Sequence, residues 1–256
     1  MIDTHCHIYL EDFKHDLESV LDRAVEAGVN HIFMPSIDFK SIEAMQTLQH
    51  PKITFHSMVG VHPCEISSNN RDIEARLSEW ASKNTFVGIG ETGLDYHWSL
   101  DYIKEQKKSL SIHCEIAKAV NKPVILHNRN STQDMLDIIE EKQNGSLQGI
   151  WHCFNGTLNE GKRALDLNLK LGIGGVLTFK NAGVDKTVAN LPLEHMLLET
   201  DAPYLAPHPK RGKRNEPSFI KYTAERLAEV KGCSIEEIVM QTTQNAHRVF
   251  GLNTSN

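Results

Sequence analysis

Residues 123–153, PVILHNRNSTQDMLDIIEEKQNGSLQGIWHC, contain the pattern that decides the fold. A short apolar run ends in a histidine, an amphipathic segment follows, and a second short apolar run ends near another histidine. Continuous apolar runs of this kind are typical of strands in a parallel sheet that is covered on both faces. Because the intervening segment has helical periodicity, the stretch predicts a strand–helix–strand unit.

The same alternation extends over the whole chain. Apolar runs predict strands at 2–6, 30–35, 54–61, 86–90, 123–127, 149–153, 169–176 and 196–200. Amphipathic segments predict helices at 16–27, 39–49, 71–83, 101–120, 132–143, 158–168, 181–190, 216–230 and 234–250. Eight strands, each followed by a helix, favour an α/β fold of the (β/α)8 TIM-barrel type, which fits about 250 residues in one domain. We therefore expect a single domain over 1–256, with an open doubly wound sheet as the alternative.

Composition restricts where the protein acts. No apolar run approaches the ~20 residues that cross a bilayer, and the first residues lack the features of a secretory signal peptide. The 5 cysteines are widely spaced and form no CxxC pair, which favours a reducing compartment and argues against a cysteine-based zinc site. We expect a cytoplasmic protein with no membrane contact and no obligate protein partner.

Ionisable side chains fall at the C-terminal ends of the predicted strands. The set consists of His5, His7, Glu91, His127, His152 and Asp201. In a TIM barrel these strand ends meet at one mouth, where active sites are built. His5 and His7 are two apart in a strand and point the same way, so Cys6 points elsewhere. Each residue alone has an ordinary structural explanation, but their joint position predicts a metal site.

The number of ligands predicts two metal ions rather than one. Six nitrogen and oxygen donors exceed what one catalytic ion needs if it is to keep an open position. Two ions roughly 3.5–4 Å apart that share a carboxylate use the set better. We expect Glu91 to bridge them. The predicted ligands of the first ion are His5, His7, Glu91 and Asp201, and those of the second are Glu91, His127 and His152.

Catalysis at such a site would use a water molecule that ionises near neutral pH. Glu91 and Asp201 are the predicted catalytic residues, with Asp201 as a candidate general base. The mixed imidazole and carboxylate set leaves the ion open between Mg²⁺, Mn²⁺ and Zn²⁺.

A basic segment follows the eighth predicted strand. Residues 208–215, HPKRGKRN, contain four cations around a glycine and predict a loop that holds an anionic group. Arg211 in this loop and Arg129 beyond the fifth strand are candidate phosphate ligands. The alternative is a solvated loop. Because the net charge of −6 disfavours a protein coated in positive charge, we expect weak, salt-sensitive nucleic-acid binding through this rim.

The chain resembles the TatD family of metal-dependent deoxyribonucleases, which is related to the amidohydrolases. The resemblance rests on IDTHCHI, VGVHPCE, VGIGETGLDY, PVILHNRN, GIWHCFNG, LGIGGVLTFKNA, LLETDAPYLAP, RGKRNEP and NAHRVFG, in order from 2 to 251. It implies a TIM barrel, two divalent metals and hydrolysis of DNA phosphodiesters, commonly as a 3′→5′ exonuclease. It also implies metal ligation by the same six residues and a substrate-side role, such as a phosphate contact, for His62.

Two stretches depart from the family pattern. The family often has HCFSG where this chain has HCFNG, so Asn155 replaces a serine, and 67–72 (SSNNRD) has no clear counterpart. Two alternatives to a nuclease remain. One is an amidohydrolase acting on a small ester or amide, although such enzymes often bridge their metals with a modified lysine where this chain has Glu91. The other is a binding protein with a vestigial site.

Overall fold

The computed structural model describes residues 1–68 and 72–252. Its eight strands are β1 Ile2–Asp3, β2 His31–Pro35, β3 Thr54–Val59, β4 Phe86–Asp95, β5 Val124–Arg129, β6 Gly149–Trp151, β7 Leu169–Ile173 and β8 Met196–Leu198. The α-helices are α1 Leu17–Glu26, α2 Ser41–Gln46, α3 Ile73–Ala81, α4 Ile103–Val120, α5 Thr132–Lys142, α6 Leu158–Asp166, α7 Val184–Ala189, α8 Ile220–Lys231 and α9 Ile235–Phe250. The elements alternate as the sequence predicts.

The strands form one parallel sheet in the order β1 to β8. Its two edges approach each other, since Cys6 forms a bridge with Ala202 and the Thr4 amide donates to the Leu198 carbonyl at 3.1 Å. The sheet is therefore a nearly closed barrel with helices around it. The prediction of a (β/α)8 barrel is confirmed, and the sequential strand order excludes the doubly wound alternative.

The predicted end of the fourth strand is wrong. The prediction ended the strand at residue 90, whereas β4 continues to Asp95 and pairs with β5 up to Arg129. The register shifts between Ile89 and Thr92, and a Cβ at Gly93 would lie 2.0 Å from the His127 carbonyl oxygen. Because Gly93 has no side chain, the two backbones can approach this closely. Since β4 continues to Asp95, Glu91 lies within the strand rather than after it.

The helix boundaries agree with the prediction to within a few residues. Thr157 and Glu160 form a capping box at the start of α6. Ser131 precedes α5, but its hydroxyl does not cap the helix and lies 2.8 Å from both the Leu94 carbonyl oxygen and Asn128 Oδ1. The predicted start of the third helix at residue 71, and part of 67–72, lie outside the described residues. In the described part of the chain, none of the helices has the length and apolar character that crossing a membrane requires.

The interior of the barrel has an apolar floor at its N-terminal end. Side chains from six strands pack there against the last turns of α9, and the cluster comprises Ile2, Phe33, Met58, Ile125, Ile150, Leu197, Ala246, Val249 and Phe250. Alternate residues of a strand point the same way. His127, His152 and Glu199 each follow one of these floor residues by two positions. Polar side chains therefore form the next layer above the floor, at the mouth.

Candidate metal centre

Glu91 lies at the centre of a buried group of imidazoles. Its Oε2 is 3.1 Å from His5 Nε2 and 3.4 Å from His7 Nε2. Its Oε1 is 3.0 Å from His127 Nδ1. The two oxygens of one carboxylate thus face different imidazoles, Oε2 those of His5 and His7 in the segment after β1, and Oε1 that of His127 on β5.

Asp201 and His152 complete the group. Asp201 Oδ1 lies 3.6 Å from His7 Nε2, 3.8 Å from His5 Nε2 and 3.9 Å from His152 Nε2. The rings of His5 and His152 stack with centroids 3.5 Å apart. His152 Nε2 is also 3.7 Å from Glu91 Oε1, so this ring faces both carboxylates. The structure therefore brings together all six residues that the sequence selected.

The grouping of donor atoms differs in one respect from the predicted ligand sets. Among the residues that the structure describes, three groups have donor atoms close enough to hold an ion: His5–His152–Asp201, His5–His7–Glu91 and His62–Glu91–His127. His152 thus lies with His5 and Asp201, while His62 occupies the position beside Glu91 and His127. His62 Nε2 is 3.2 Å from His127 Nδ1 and 3.6 Å from Glu91 Oε1. His62 therefore lies inside the cluster.

The donor set fits a divalent cation. His5 Nε2 and His7 Nε2 are 3.2 Å apart, and both also face Glu91 Oε2. A neutral imidazole has one N–H, and carboxylates only accept, so lone pairs outnumber protons where these atoms converge. Buried lone pairs of this type are what Zn²⁺, Mn²⁺ or Mg²⁺ bind.

The electrostatics keep the carboxylates ionised. Burial opposes the ionisation of Glu91, but the imidazoles of His5 and His62 outweigh it and hold the pKa of Glu91 well below its usual range. Burial is likewise outweighed at Asp201, whose pKa is lowered by His152 and His7. Metal ligands must be deprotonated, and these carboxylates meet that requirement near neutral pH.

Three further residues orient the imidazoles. Asp95 Oδ2 is 2.9 Å from His127 Nε2, and Glu199 Oε1 is 3.0 Å from His152 Nδ1. The Tyr9 hydroxyl donates to the Pro35 carbonyl at 2.7 Å, so it accepts from Nδ1 of His7 at 3.0 Å. Each contact fixes one ring nitrogen as the donor and leaves the other directed at the cluster.

Sequence reasoning missed these orienting residues. Glu199 could have been found by strand periodicity, since it lies two residues before Asp201. Its position also explains Gly172 on β7, where a Cβ would lie 2.1 Å from Glu199 Oε2. Asp95 could not be found in this way, because the sequence pattern ended the fourth strand before it. Tyr9 had no signal beyond its spacing of two from His7.

The two arginines predicted to contact phosphate lie in different places, Arg129 at the cleft of the metal centre and Arg211 in a neighbouring groove. The cluster opens into a cleft of about 760 Å³ whose lining includes His62, Arg129 and Asn155. Arg129 is exposed, and within 1–68 and 72–252 no carboxylate lies at ion-pair distance from it. Arg211 lies in a neighbouring groove, where its guanidinium covers the Phe179 ring at 3.9 Å. Arg214 of the same basic segment is paired with Asp16 at 2.7 Å. Two arginines of the basic segment thus make contacts within the protein, Arg211 with Phe179 and Arg214 with Asp16.

Comparison with known proteins identifies the family. A model of the TatD related DNase family matches residues 2–251. The chain belongs to this family. YabD of Bacillus subtilis, an uncharacterized metal-dependent hydrolase, is 38% identical over 254 residues, which cover 99% of this chain and 100% of that protein. TatD of Pantoea ananatis, a 3′-5′ ssDNA/RNA exonuclease, is 31% identical, with 98% of this chain and 100% of that protein covered.

A solved structure agrees with the family assignment. The crystal structure of YjjV, a TatD homologue from Escherichia coli, matches with a TM-score of 0.90 and 28% identity. The match covers 99% of this chain and 98% of that one. The resemblance inferred from the sequence motifs is thereby confirmed. This TatD-family protein is a metal-dependent hydrolase on a TIM barrel, with clusters of histidine, glutamate and aspartate that suit metal binding.

Proposed function

We propose that this TatD-family hydrolase cleaves phosphodiester bonds of DNA with two divalent ions per chain and releases nucleotides from the 3′ end. The proposal rests on the position of Glu91, whose two oxygens face different imidazoles beside a cleft that Arg129 lines. A shared carboxylate between two metals suits in-line displacement at phosphorus. The name of the Pantoea ananatis relative supports a nucleic-acid substrate.

The ligands divide into two groups around Glu91. One group would consist of His5, His7, His152 and Asp201, and the other of His62 and His127. Divalent cations held there supply Lewis acidity toward a phosphoryl oxygen and lower the pKa of a water molecule at the site. Mg²⁺, Mn²⁺ and Zn²⁺ all suit a set that mixes imidazole and carboxylate.

The chain's own residues complete the chemistry. Asp201 is ionised and lies on the lining of the cleft, where its carboxylate can accept a proton from attacking water. The Arg129 guanidinium is positioned to bind a phosphate oxygen in the cleft, because no carboxylate competes for it among the described residues. Arg211, in the neighbouring groove, would contact the strand farther along. Asp95 and Glu199 hold the rings of His127 and His152 in place throughout.

A nuclease assay tests this function. Single-stranded DNA labelled at either end is incubated with the protein and Mg²⁺, Mn²⁺ or Zn²⁺, with and without chelator. We expect metal-dependent release of nucleotides from the 3′ end, and its loss in Glu91→Gln. Glu141→Gln is the matched control, since Glu141 is 71% exposed on α5, and it should retain activity. Failure to release nucleotides from any end of DNA, with every metal, would contradict the proposal.

The amidohydrolase alternative has less support. Strand β4, FVGIGETGLD, contains no lysine that could be modified to bridge two metals, and Glu91 lies there instead. A panel of lactones, cyclic amides and phosphodiesters would separate the two reaction classes. Turnover of a cyclic amide with no turnover of phosphodiesters would favour the alternative.

The proposal includes a cytoplasmic location and a site that needs no second subunit. The five cysteines are free thiols, as is typical of a reducing compartment. All residues of the cluster come from one chain.

A further inference from the structure

Exposed apolar side chains concentrate at the cleft. In the part of the chain that the structure describes, the exposed large apolar residues are Trp98, Leu100, Tyr204, Leu205, Ile235 and Met240. Three of them, Trp98, Tyr204 and Leu205, line the cleft of the metal centre. Trp98 is 70% exposed and Tyr204 is 50% exposed. The chemistry proposed above uses neither ring. Large aromatic surfaces left in water beside a polar site indicate a binding surface.

The two rings lie on opposite sides of the metal centre. Trp98 follows β4 and Tyr204 follows β8, which are half the barrel apart in an eight-stranded sheet with sequential order. Both residues contact side chains of the metal centre or the carboxylate that orients one of its rings. The Tyr204 ring meets the His7 ring edge-on with centroids 6.1 Å apart. The Trp98 amide donates to Asp95, whose other oxygen contacts His127. The cluster is thus flanked by one aromatic ring on each side.

A cation accompanies one of the rings. The Arg129 guanidinium lies over the Trp98 ring at 5.3 Å from its centroid. An aromatic ring beside a cation matches the two parts of a nucleotide, because a base stacks on the ring while its phosphate pairs with the guanidinium. A phosphodiester joins two nucleosides, one on each side of the phosphate, which matches two rings on either side of one centre.

We propose that Trp98 and Tyr204 are stacking platforms for the unpaired bases of the two nucleotides that flank the scissile phosphate. This inference rests on the proposed function and specifies its substrate as a single strand or a frayed end. The bases of a duplex are stacked and paired, so they cannot reach the two rings without first separating.

Oligonucleotide binding tests the proposal separately from hydrolysis. The probe is a phosphorothioate deoxytetranucleotide with a remote dye, and its partner is an abasic chain of equal length and charge. Affinity is measured by fluorescence anisotropy with the metal-loaded protein. We expect the base-bearing probe to bind wild type at least about tenfold more tightly than the abasic one. Trp98→Ala and Tyr204→Ala should each reduce this ratio severalfold, while Trp98→Phe, which keeps a ring, should retain most of it.

The control variant is Met240→Ala, since Met240 is 55% exposed on α9 and far along the chain from the cleft residues. It should leave the ratio unchanged. Equal affinity of wild type for the two probes would overturn the proposal. A Trp98→Ala protein that keeps its fold, its metal content and the wild-type ratio of affinities for the two probes would also overturn the proposal. Absence of hydrolysis combined with a normal ratio would instead contradict the proposed function and leave the stacking platforms supported.

Discussion

At the scale of single residues, the candidate site depends on carboxylates that touch rings rather than substrate. Asp95 has one oxygen on His127 Nε2 and the other on the amides of His97 and Trp98. Burial opposes its ionisation, but the hydrogen bond and charge of His127, together with the hydrogen bonds from the His97 and Trp98 amides, outweigh burial and lower the pKa of Asp95 to about 2. The carboxylate therefore fixes both the ring orientation and the start of the loop after β4.

Asp95→Asn should weaken metal binding without unfolding the protein. The amide keeps the shape but removes the charge that orients His127, and losses of about 10- to 100-fold in metal affinity are typical of such changes. Competition with a chelating dye measures the affinity. Asp101→Asn, an exposed aspartate in the same loop, is the matched control and should bind metal like wild type. Equal affinity in the two variants would contradict the orienting role.

His113 is a buried histidine with a structural role outside the metal centre. Its Nδ1 donates to the Ser109 carbonyl at 2.7 Å, and its Nε2 accepts from the Val61 amide at 3.1 Å. Burial lowers the pKa of His113 to about 4 from 6.5. The unfolded chain therefore takes up a proton at a higher pH than the folded chain, so stability falls as pH drops from about 6.5 toward 4.

Urea unfolding at pH 7 and pH 5 checks this effect. His113 should contribute about 2 kcal/mol to the loss of stability between these pH values, since one pKa unit corresponds to about 1.4 kcal/mol. His113→Phe should be less stable at pH 7, because the Val61 amide loses its acceptor, yet it should lose less stability on acidification. The same loss in both proteins would show that another group titrates.

Among the helices and strands, the sequence predicted correctly those whose form depends on the spacing of apolar side chains. It did not predict the end of β4, which depends on close packing between two backbones. The helices and the apolar strands follow from the pattern of side chains alone. The end of β4 does not follow from this pattern, because Gly93 interrupts the apolar run where the β4 and β5 backbones lie too close for a side chain. The six candidate site residues were selected because they lie at the ends of the predicted apolar runs, and the structure brings them together. Which set of candidate metal ligands contains His62 and which contains His152 depends on how the rings are oriented. Sequence spacing does not determine that orientation.

Gly93→Ala should disrupt the pairing of β4 with β5. The added Cβ would lie 2.0 Å from the His127 carbonyl oxygen, so the strands must separate beside the metal centre. Gly145→Ala is the matched control, because Gly145 also has a positive φ but has no atom within 4 Å of the added Cβ. Urea unfolding should show a loss of about 1 kcal/mol for Gly145→Ala and of several times that for Gly93→Ala. Equal losses would indicate that backbone strain alone matters.

At the scale of the whole molecule, charge is distributed unevenly. The chain carries a net charge of −6, while cations that can meet a phosphate lie near the mouth. Part of the basic segment is neutralised, as Arg214 pairs with Asp16. Nucleic-acid binding is therefore expected to rest on a few phosphate contacts, in contrast to the extensive basic surface of a protein that encloses a duplex.

Salt titration of single-strand binding tests this distribution. Each phosphate contact on a single strand contributes about 0.7 to the slope of log affinity against log salt. We expect a shallow but measurable decrease, and Arg129→Ala should reduce the slope by about that amount. Lys162→Ala, which removes a charge on α6, is the control and should leave the slope unchanged. Affinity that does not respond to salt would contradict a phosphate ligand.

If the buried cluster holds two divalent ions, as proposed, Glu91 would be the residue that they share. Metal-free protein titrated with Mn²⁺ or Zn²⁺ in a calorimeter, and then analysed for bound metal, gives the number of ions per chain directly. We expect two ions per chain for wild type and the loss of at least one in Glu91→Gln, with Glu141→Gln unchanged. A chain that binds no divalent ion, or that binds the same number after Glu91→Gln, would contradict it.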